Sequence, residues 1–362
     1  MTTAAGPAPR PGILEIVPYV AGEAKIAGIE RPIRLASNES ALGPSTKAIA
    51  AYRALAGEFH RYPDGGADEL REALGRHHGL DPARIVCGAG SDELITLLLR
   101  SYAGPGDEVV YSRHGFLMYP INAQTVGATP VAAPERSLTT DVDALLERVT
   151  ERTRIVFVAN PNNPTGTFNP WDDIRRFVER VPARVLVVLD EAYGEYLPPE
   201  LASPTPAWIK RFPNLIVSRT LSKAYGLAGL RVGFGIADAR VAEVMNRVRQ
   251  PFNVNHLAMV AAAAALDDEP FIAKSRSVNA AGLVQLQQGF EKLGLEYIPS
   301  RGNFITVRVG DAKRVYEALL RDGVIVRPIA GYGLPEHLRV TVGLPGQNAR
   351  FLASLARAVG RG

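Results

Sequence analysis

The sequence predicts an α/β protein with a mainly parallel central sheet in its large domain and a smaller α+β domain. From about residue 84 onward, short apolar runs rich in β-branched residues alternate with helical patterns. These runs are apolar throughout, which is typical of parallel strands covered on both faces by helices. After about residue 293 shorter strands and helices follow one another closely, which favours a second domain.

The elements can be placed in order along the chain. In the large domain, strands are predicted at ARIVCGAG, DEVVYS, TRIVFVAN, RVLVVLDEAY and NLIVSRTLSK, and helices at SDELITLLLRSYAG, HGFLMYPINAQTVG, DIRRFVERV and PAWIKRF. A long helical stretch follows from Ala239 to about Leu293. In the small domain, strands are predicted at LEYIPS, NFITVRV, VIVRPI and HLRVTVG, and helices at DAKRVYEALLRDG and QNARFLASLARAV. We therefore predict an N-terminal arm over 1–44 that joins the small domain, a large domain over 45–260 and a small domain over 261–362.

Composition and charge exclude several classes of protein. The 362 residues are 46% hydrophobic and 22% charged, and no run approaches the roughly 20 apolar residues that span a bilayer. The start, MTTAAGPAPRPG, lacks the apolar segment of a secretion signal and is typical of a flexible tail. The net charge of +4 is small and the basic residues form no run, which argues against nucleic-acid binding.

Cysteine and histidine usage narrows the chemistry further. The single cysteine, Cys87, excludes an internal disulfide framework and favours the cytoplasm. None of the six histidines has the spacing of a metal-ligand motif, so no metal is predicted.

The informative polar residues fall at the ends of the predicted strands, where parallel sheets bind ligands. The segment SRTLSKAYGLAGLRVGFG, 218–235, places Lys223 just past a strand among small and apolar residues, an unusual setting for lysine. A lysine that forms a Schiff base with an aldehyde cofactor needs a destabilised ammonium group. Ser222 and Arg231 offer a hydroxyl and a guanidinium to a phosphate. Taken alone, the segment is also compatible with a surface loop that carries a solvated lysine.

Two carboxylate and amide motifs add to this pattern. Asp190 ends the apolar run RVLVVLD, and a buried carboxylate needs a cation, for which a protonated pyridine nitrogen is suited. A capping aspartate is the simpler alternative. Tyr193, three residues on, could hydrogen-bond a ring hydroxyl. The turn NPNNPTG, 160–166, could present an asparagine amide to a phenolate oxygen, or be a turn and nothing more.

A fourth motif, GAGSDE at 88–93, lies between a strand and a helix. Glycines followed by a helix N-terminus can form an anion site from backbone N–H groups. The third glycine of the dinucleotide fingerprint is missing. Ser91 or Asp92 could equally be the cap of the helix.

Together, the order and spacing of these motifs resemble fold-type I pyridoxal 5′-phosphate (PLP) aminotransferases. Over essentially the whole chain the sequence resembles the histidinol-phosphate aminotransferase family of class I/II aminotransferases. The matching stretches are LASNES-LGPS, RYPDGGADELREAL, GAGSDELI, NPNNPTG, DEAYGEY, RTLSKAYGLAGLRVGFG, NFITV and HLRVTVG. The resemblance implies PLP as cofactor, ping-pong transamination between an amino donor and a 2-oxo acid, and a homodimer.

The resemblance also implies roles for individual residues. Lys223 is expected to form the Schiff base with PLP and to move the proton, Asp190 to pair with the pyridine nitrogen, and Asn163 and Tyr193 to hold the ring hydroxyl. The other cofactor contacts that it implies are Ser91, Asp92, Ser222 and Arg231 around the phosphate, Phe116 stacked on the ring, and Tyr62 reaching the phosphate in the neighbouring subunit. For the substrate it implies Arg339 at the α-carboxylate, with Asn303, Arg327 and Tyr19 as pocket residues.

The resemblance favours L-histidinol phosphate as amino donor and 2-oxoglutarate as acceptor, in histidine biosynthesis. An aromatic amino acid or prephenate aminotransferase remains an alternative, as do a PLP-dependent decarboxylase or lyase and a non-enzymatic module of the same fold. Two segments depart from the family pattern. Residues Glu39–Gly43 read ESALG where many relatives have ENP, an aromatic residue and glycine, and HGFLMYP replaces the commoner PTF or PTY form. The first departure lies near the substrate and bears on specificity.

Overall fold

The structure, a computed structural model, describes residues 6–361; residues 1–5 of the predicted arm and tail and residue 362 of the predicted small domain lie outside the described residues. The strands are β1 (Ile33–Arg34), β2 (Ile85–Gly88), β3 (Glu108–Ser112), β4 (Thr129–Ala133), β5 (Glu135–Arg136), β6 (Thr139–Thr140), β7 (Thr153–Ala159), β8 (Leu186–Asp190), β9 (Leu215–Thr220), β10 (Gly233–Ile236), β11 (Tyr297–Ile298), β12 (Phe304–Arg308), β13 (Val324–Ile325), β14 (Arg327–Pro328) and β15 (His337–Thr341). The α-helices are α1 (Thr46–Ala54), α2 (Asp68–His78), α3 (Ser91–Tyr102), α4 (Met118–Thr125), α5 (Val142–Glu147), α6 (Trp171–Arg180), α7 (Thr205–Trp208), α8 (Ala239–Val248), α9 (His256–Leu266), α10 (Glu269–Lys292), α11 (Ala312–Arg321) and α12 (Pro345–Ala358). Within residues 6–361, no helix combines the length and the apolar character needed to cross a membrane.

The central sheet has the strand order β2-β10-β9-β8-β7-β3-β4. Its pairings are parallel, except that β10 runs antiparallel to both of its neighbours. Apolar side chains on the two faces of the sheet pack into two separate clusters beneath the helices. This arrangement accounts for the continuously apolar strands and agrees with the predicted α/β class. Strands β4 and β10, TPVAA and GFGI, escaped prediction because alanine, glycine and proline are poor strand formers.

The stretch from Ala239 to Leu293 forms three helices, α8, α9 and α10, and not one continuous helical segment. The alanine-rich helix α9 packs on α1 and α2, and its buried residues belong to the core beneath the central sheet. Small alanine side chains allow this close approach of helices. The boundary between the large and the small domain remains a proposal. Because α9 packs on the large domain, a boundary after α9, at residues 267–268, fits better than the predicted one near residue 260.

The C-terminal region folds on a four-stranded antiparallel sheet in the order β11-β12-β15-β14. Side chains of α10, α11 and α12 form a common apolar core with this sheet. Strand β1 pairs in parallel with β13, with Ile33 opposite Val324, and Leu35 joins the same core. This pairing supports the proposal that the N-terminal arm belongs to the small domain.

Candidate active site

A cleft of about 270 Å³ opens at the carboxyl ends of β7, β8 and β9. It is lined from one side by the loops that follow these strands and by the start of α3, and from the other side by β14, β15 and the N-terminal arm. The predicted site residues that line it are Tyr19, Ser91, Asp92, Phe116, Asn163, Asp190, Tyr193, Ser222, Lys223, Arg231, Arg327 and Arg339. The strand ends of a parallel sheet therefore converge as the sequence predicts.

Lys223 lies three residues past the end of β9 and extends into the cleft. Its Nζ donates a hydrogen bond to the backbone carbonyl of Ser37, at 3.2 Å. Burial, and then the positive charge of Arg339, lower the pKa of Lys223 from 10.5 to about 8. Roughly a tenth of this amine is therefore uncharged at pH 7, a few hundred times more than at its ordinary pKa, and a nucleophilic or proton-transferring lysine requires such an uncharged amine.

Asp190 is the last residue of β8 and is only 8% exposed. Its Oδ2 accepts a hydrogen bond from the hydroxyl of Tyr119 at 2.6 Å, and its Oδ1 accepts one from the backbone N–H of Ala192 at 3.1 Å. Burial raises the pKa of Asp190 to about 6, against the lowering effect of these two donors. No cation among residues 6–361 pairs with this carboxylate, which is therefore suited to a positively charged partner in the cleft.

Two further polar groups, Asn163 and Tyr193, line the same part of the cleft. The Oδ1 of Asn163 accepts from Nη1 of Arg339, so the amide nitrogen of Asn163 is left as a donor. The Tyr193 hydroxyl accepts from Nδ2 of Asn38 at 2.9 Å. Arg339 is 6% exposed and also donates from Nη2 to the carbonyl of Ala36 at 2.8 Å. Its Nε is buried and has no partner among residues 6–361, so it can still bind an anion.

An anion cradle lies at the start of α3. The N-cap of this helix is Gly90, at φ +82°, and not Ser91 or Asp92, so no side chain caps the first N–H groups. Arg231 donates to the Ser222 hydroxyl at 3.2 Å. Gly90 adopts a positive φ that side chains rarely tolerate, and a Cβ there would also lie 2.2 Å from Nη2 of Arg231 and displace this guanidinium. Free helix N–H groups, a hydroxyl and a guanidinium together form a site suited to a phosphate.

Three side chains border the remaining part of the cleft. The guanidinium of Arg327 lies over the ring of Tyr19, 5.5 Å from its centroid, and donates to the carbonyl of Val20. The ring of Phe116 meets that of Tyr119 edge to face, with centroids 5.8 Å apart. The predicted residues of the arm and of the loop before α4 therefore reach the same cleft as Lys223.

Two predicted residues do not line the cleft. Tyr62 is 82% exposed and stacks on Phe252, with ring centroids 4.7 Å apart. Asn303 is buried behind the cleft, where its Nδ2 donates to the carbonyl of Asn38 at 2.9 Å. Asn303 therefore supports the arm from behind, and its predicted contact with substrate stays a prediction.

The sequence analysis missed Tyr119 and Asn38, both of which bond to predicted site residues. Tyr119 falls on α4 inside an otherwise ordinary helical pattern, and Asn38 stands within LASNES, where no local pattern marks it as a site residue. The available signal for Tyr119 was its position three residues after Phe116, because residues three apart share a helix face.

Two other buried ionisable groups, Glu191 and Cys87, are paired with protein groups or stay protonated. Glu191, next to Asp190, pairs with Arg219 at 2.6 Å and accepts from the hydroxyl of Thr205 at 2.6 Å. Burial raises the pKa of the Cys87 thiol to about 12, so this cysteine stays protonated. In the described part of the chain, no group of three or more His, Cys, Asp or Glu side chains is placed to hold a metal ion.

Comparisons with known proteins extend over both domains. The model of the family "Aminotransferase class I and II" matches residues 30–355, a range that contains the cleft residues apart from Tyr19 and Gly22. Histidinol-phosphate aminotransferase 1 of Thiobacillus denitrificans is 51% identical over 356 residues, which cover 96% of this chain and 93% of the relative. Histidinol-phosphate aminotransferase of Rhodospirillum centenum is 51% identical over 346 residues, 94% of this chain and 96% of the relative.

Among solved structures, histidinol-phosphate aminotransferase of Sinorhizobium meliloti in complex with pyridoxal-5′-phosphate matches with a TM-score of 0.90. The two sequences are 29% identical, and the match covers 99% of both chains. The predicted fold-type I class is therefore confirmed.

Proposed function

The chain belongs to the histidinol-phosphate aminotransferases of the class I and II aminotransferase family, and from this premise we propose that it transfers the amino group of histidinol phosphate to 2-oxoglutarate. PLP is the cofactor of the reaction. The observation that carries the substrate proposal is the placement of Arg327 directly opposite Arg339 on the antiparallel strands β14 and β15, both lining the cleft that holds Lys223. Like charges directly opposite one another destabilise a strand pair, and an anion between them removes the repulsion.

The residues of the cleft fit PLP at both ends. The cradle of Gly90, Ser91, Ser222 and Arg231 suits the phosphate, because a side chain on Gly90 would fill the space against the guanidinium. At the other end, the buried Asp190 is available for a protonated ring nitrogen.

The remaining cofactor contacts lie between these two ends. Asn163 and Tyr193 offer donors to the ring oxygen, and Phe116 offers an aromatic face. Asp92 sits beside the cradle, 3.5 Å from Nη2 of Arg231, where it orients the guanidinium.

The chemistry divides among the protein groups as follows. Bound PLP supplies a carbonyl that takes up the amino group and a ring that accepts electrons. Lys223, whose burial lowers its pKa to about 8, would hold the cofactor through its amine and, as the free amine, would carry a proton from the substrate Cα to the cofactor carbon that takes the amino group. The negative charge of Asp190 would keep a proton on the ring nitrogen, and that cation would in turn keep Asp190 ionised. Tyr193 and Asn163 would hold the ring oxygen and so orient the ring.

Both substrates bring anions to the same pocket. Histidinol phosphate carries a phosphate and no carboxylate, whereas glutamate carries two carboxylates. The planar fork of an arginine binds either group through paired hydrogen bonds. Arg339 is proposed to take the α-carboxylate of glutamate and to share the phosphate of histidinol phosphate with Arg327 and Tyr19.

An amino-donor panel with a matched pair of arginine variants tests this assignment. We expect the native enzyme to prefer histidinol phosphate over phenylalanine, tyrosine and glutamate in kcat/KM. Arg327→Leu should lower kcat/KM for histidinol phosphate roughly ten- to a hundredfold, the size of a charge-assisted hydrogen bond, and affect phenylalanine far less. Arg308→Leu is the control, because Arg308 pairs with Glu296 and Glu336 outside the cleft.

Two results would overturn the substrate proposal. One is a native preference for an aromatic amino acid or prephenate. The other is an Arg327→Leu variant with unchanged histidinol phosphate kinetics. Membership of the aminotransferase family stands in either case.

The proposed assembly is a two-fold symmetric homodimer, the commonest closed arrangement. The side chain of Tyr62 is 82% exposed, and that of Phe59, three residues earlier in the chain, is 76% exposed. Exposed aromatic rings are enriched at interfaces. In a dimer, Tyr62 would reach the cofactor phosphate of the neighbouring subunit. Sedimentation at assay concentrations tests this, and a fully active monomer would contradict it.

The proposed location is the cytoplasm. The one cysteine, Cys87, is buried and free, so no disulfide is required for stability. Cell fractionation with activity assays would test this, and recovery of the activity outside the cytoplasm would exclude it.

A further inference from the structure

Asn38 is an enclosed polar residue at the meeting point of the arm, the small domain and the cleft. It is 1% exposed, and its backbone adopts φ +54°, a left-handed conformation that asparagine tolerates better than most residues. Its backbone N–H donates to Oγ1 of Thr341 at 2.9 Å, and its carbonyl accepts from Asn303. Its side chain bonds to Thr341 at one end and to Tyr193 at the other. Both its backbone and its amide orientation are therefore fixed.

The hydrogen bonds around Asn38 have defined directions in the structure. The Asn38 backbone N–H can only donate, so the Thr341 hydroxyl accepts there and is free to give its own proton to Oδ1 of Asn38, at 3.2 Å. With Oδ1 accepting, the Nδ2 of Asn38 faces Tyr193 and donates to its oxygen at 2.9 Å. The Tyr193 oxygen is thus an acceptor on this side, and its single proton is left to point into the cleft that Tyr193 lines.

We propose that Thr341 and Asn38 are positioning residues, which orient the hydroxyl proton of Tyr193 towards the ring oxygen of the bound cofactor. This inference rests on the proposed function, in which Tyr193 faces that oxygen. Thr341 follows Arg339 by two residues on β15, and residues two apart point to the same face of a strand. The strand that supplies the substrate-binding arginine therefore also sets the direction of a donor to the cofactor.

The test is a pH titration of the visible absorbance of the holoenzyme. The titration follows the loss of a proton from the nitrogen through which Lys223 would be joined to the cofactor. A donor to the ring oxygen withdraws negative charge from that oxygen and so lowers the pKa of this nitrogen. Loss of the donor therefore raises the midpoint of the titration. Tyr193→Phe removes the donor and should raise the midpoint by roughly one to two pH units. Thr341→Val, of similar shape, leaves Asn38 free to turn and should raise it by about half to one unit. Thr341→Ser keeps the hydroxyl and should restore the native midpoint.

A double variant shows whether the two positions act through one another. If Thr341 works through Tyr193, adding Thr341→Val to Tyr193→Phe should leave the midpoint where Tyr193→Phe alone puts it. Thermal denaturation of the cofactor-free proteins reports folding separately. If Thr341→Val does not fold, Thr341→Ala removes the same hydroxyl with less demand on shape.

The outcomes separate this inference from the function on which it rests. The positioning role of Thr341 and Asn38 is overturned if the shifts of the two single variants add in full in the double variant. It is also overturned if the midpoint rises in Tyr193→Phe but does not move in the Thr341 variants. Either result leaves the proposed function intact. If the midpoint does not move in Tyr193→Phe, the placement of Tyr193 against the ring is overturned, and so is the positioning role of Thr341 and Asn38.

Discussion

Asp190→Asn is expected to stabilise the cofactor-free protein at neutral pH while it damages the enzyme. Burial raises the pKa of Asp190 from 3.8 to about 6. Each pKa unit corresponds to about 1.4 kcal/mol, so ionising this carboxyl in the folded, cofactor-free chain costs about 3 kcal/mol relative to the unfolded chain. The cost exists because no cation among residues 6–361 offsets the charge of Asp190, whereas a protonated ring nitrogen of the cofactor would.

The sign of the pH dependence follows from which state binds the proton more tightly. The folded protein holds the Asp190 proton more tightly than the unfolded chain does. The stability that this group contributes is therefore full below its unfolded pKa of 3.8, falls as the pH rises towards 6, and stays low above that. Asparagine has no proton to lose. Relative to that of the native protein, the free energy of unfolding of Asp190→Asn should therefore increase by about 3 kcal/mol between acid and neutral pH.

Urea denaturation of cofactor-free native protein and variant, at a series of pH values, measures this difference. Asp238→Asn is the control, because hydrogen bonds at the start of α8 lower the pKa of Asp238 and its pH dependence should run the other way. With cofactor bound, Asp190→Asn should retain PLP and lose much of its turnover. A difference in unfolding free energy that does not change with pH would refute the reasoning.

Three further substitutions test the site. Lys223→Ala should abolish transamination without lowering the thermal stability of the cofactor-free protein, and near-normal turnover would end the assignment of Lys223. Gly90→Ala should weaken PLP binding by about tenfold or more in equilibrium titration, because its Cβ would lie 2.2 Å from Arg231, whereas Gly104→Ala, in open space, should not. Tyr62→Ala should weaken PLP binding in the assembled enzyme and leave folding unchanged; an unaltered PLP affinity would contradict its contact with the neighbouring subunit.

Much of the candidate site could be predicted because it lies in short segments next to strands. Lys223 and Asp190 each follow an apolar run directly, so their place at the carboxyl edge of the sheet follows from local sequence. Tyr119 and Asn38 could not be predicted in this way. They meet their partners across 71 and 155 residues of chain, and only the folded packing brings them together.

The fold shows the same contrast between local pattern and long-range pairing. The apolar runs of β7, β8 and β9 indicate buried strands, but nothing in GFGI indicates that β10 runs against its neighbours. The helical stretch after Ala239 is broken at residues 249–255, which contain Pro251, and at the pair Asp267–Asp268, and these local signals do not show in the helical periodicity alone. Patterns of polarity therefore specify the elements better than their directions and ends.

The pairing of β1 with β13 has a consequence for the order in which the molecule can assemble during synthesis. The strands of the central sheet lie within residues 85–236, so all of them have left the ribosome before the small domain is synthesised. The phosphate cradle can therefore form at that stage. Strand β1 emerges first but finds its partner only when residues 324–325 follow. Arg339 and Thr341 come later still. A nascent chain can therefore complete the half of the cleft suited to the cofactor long before the half suited to the substrate, and it becomes an enzyme only with its last strand.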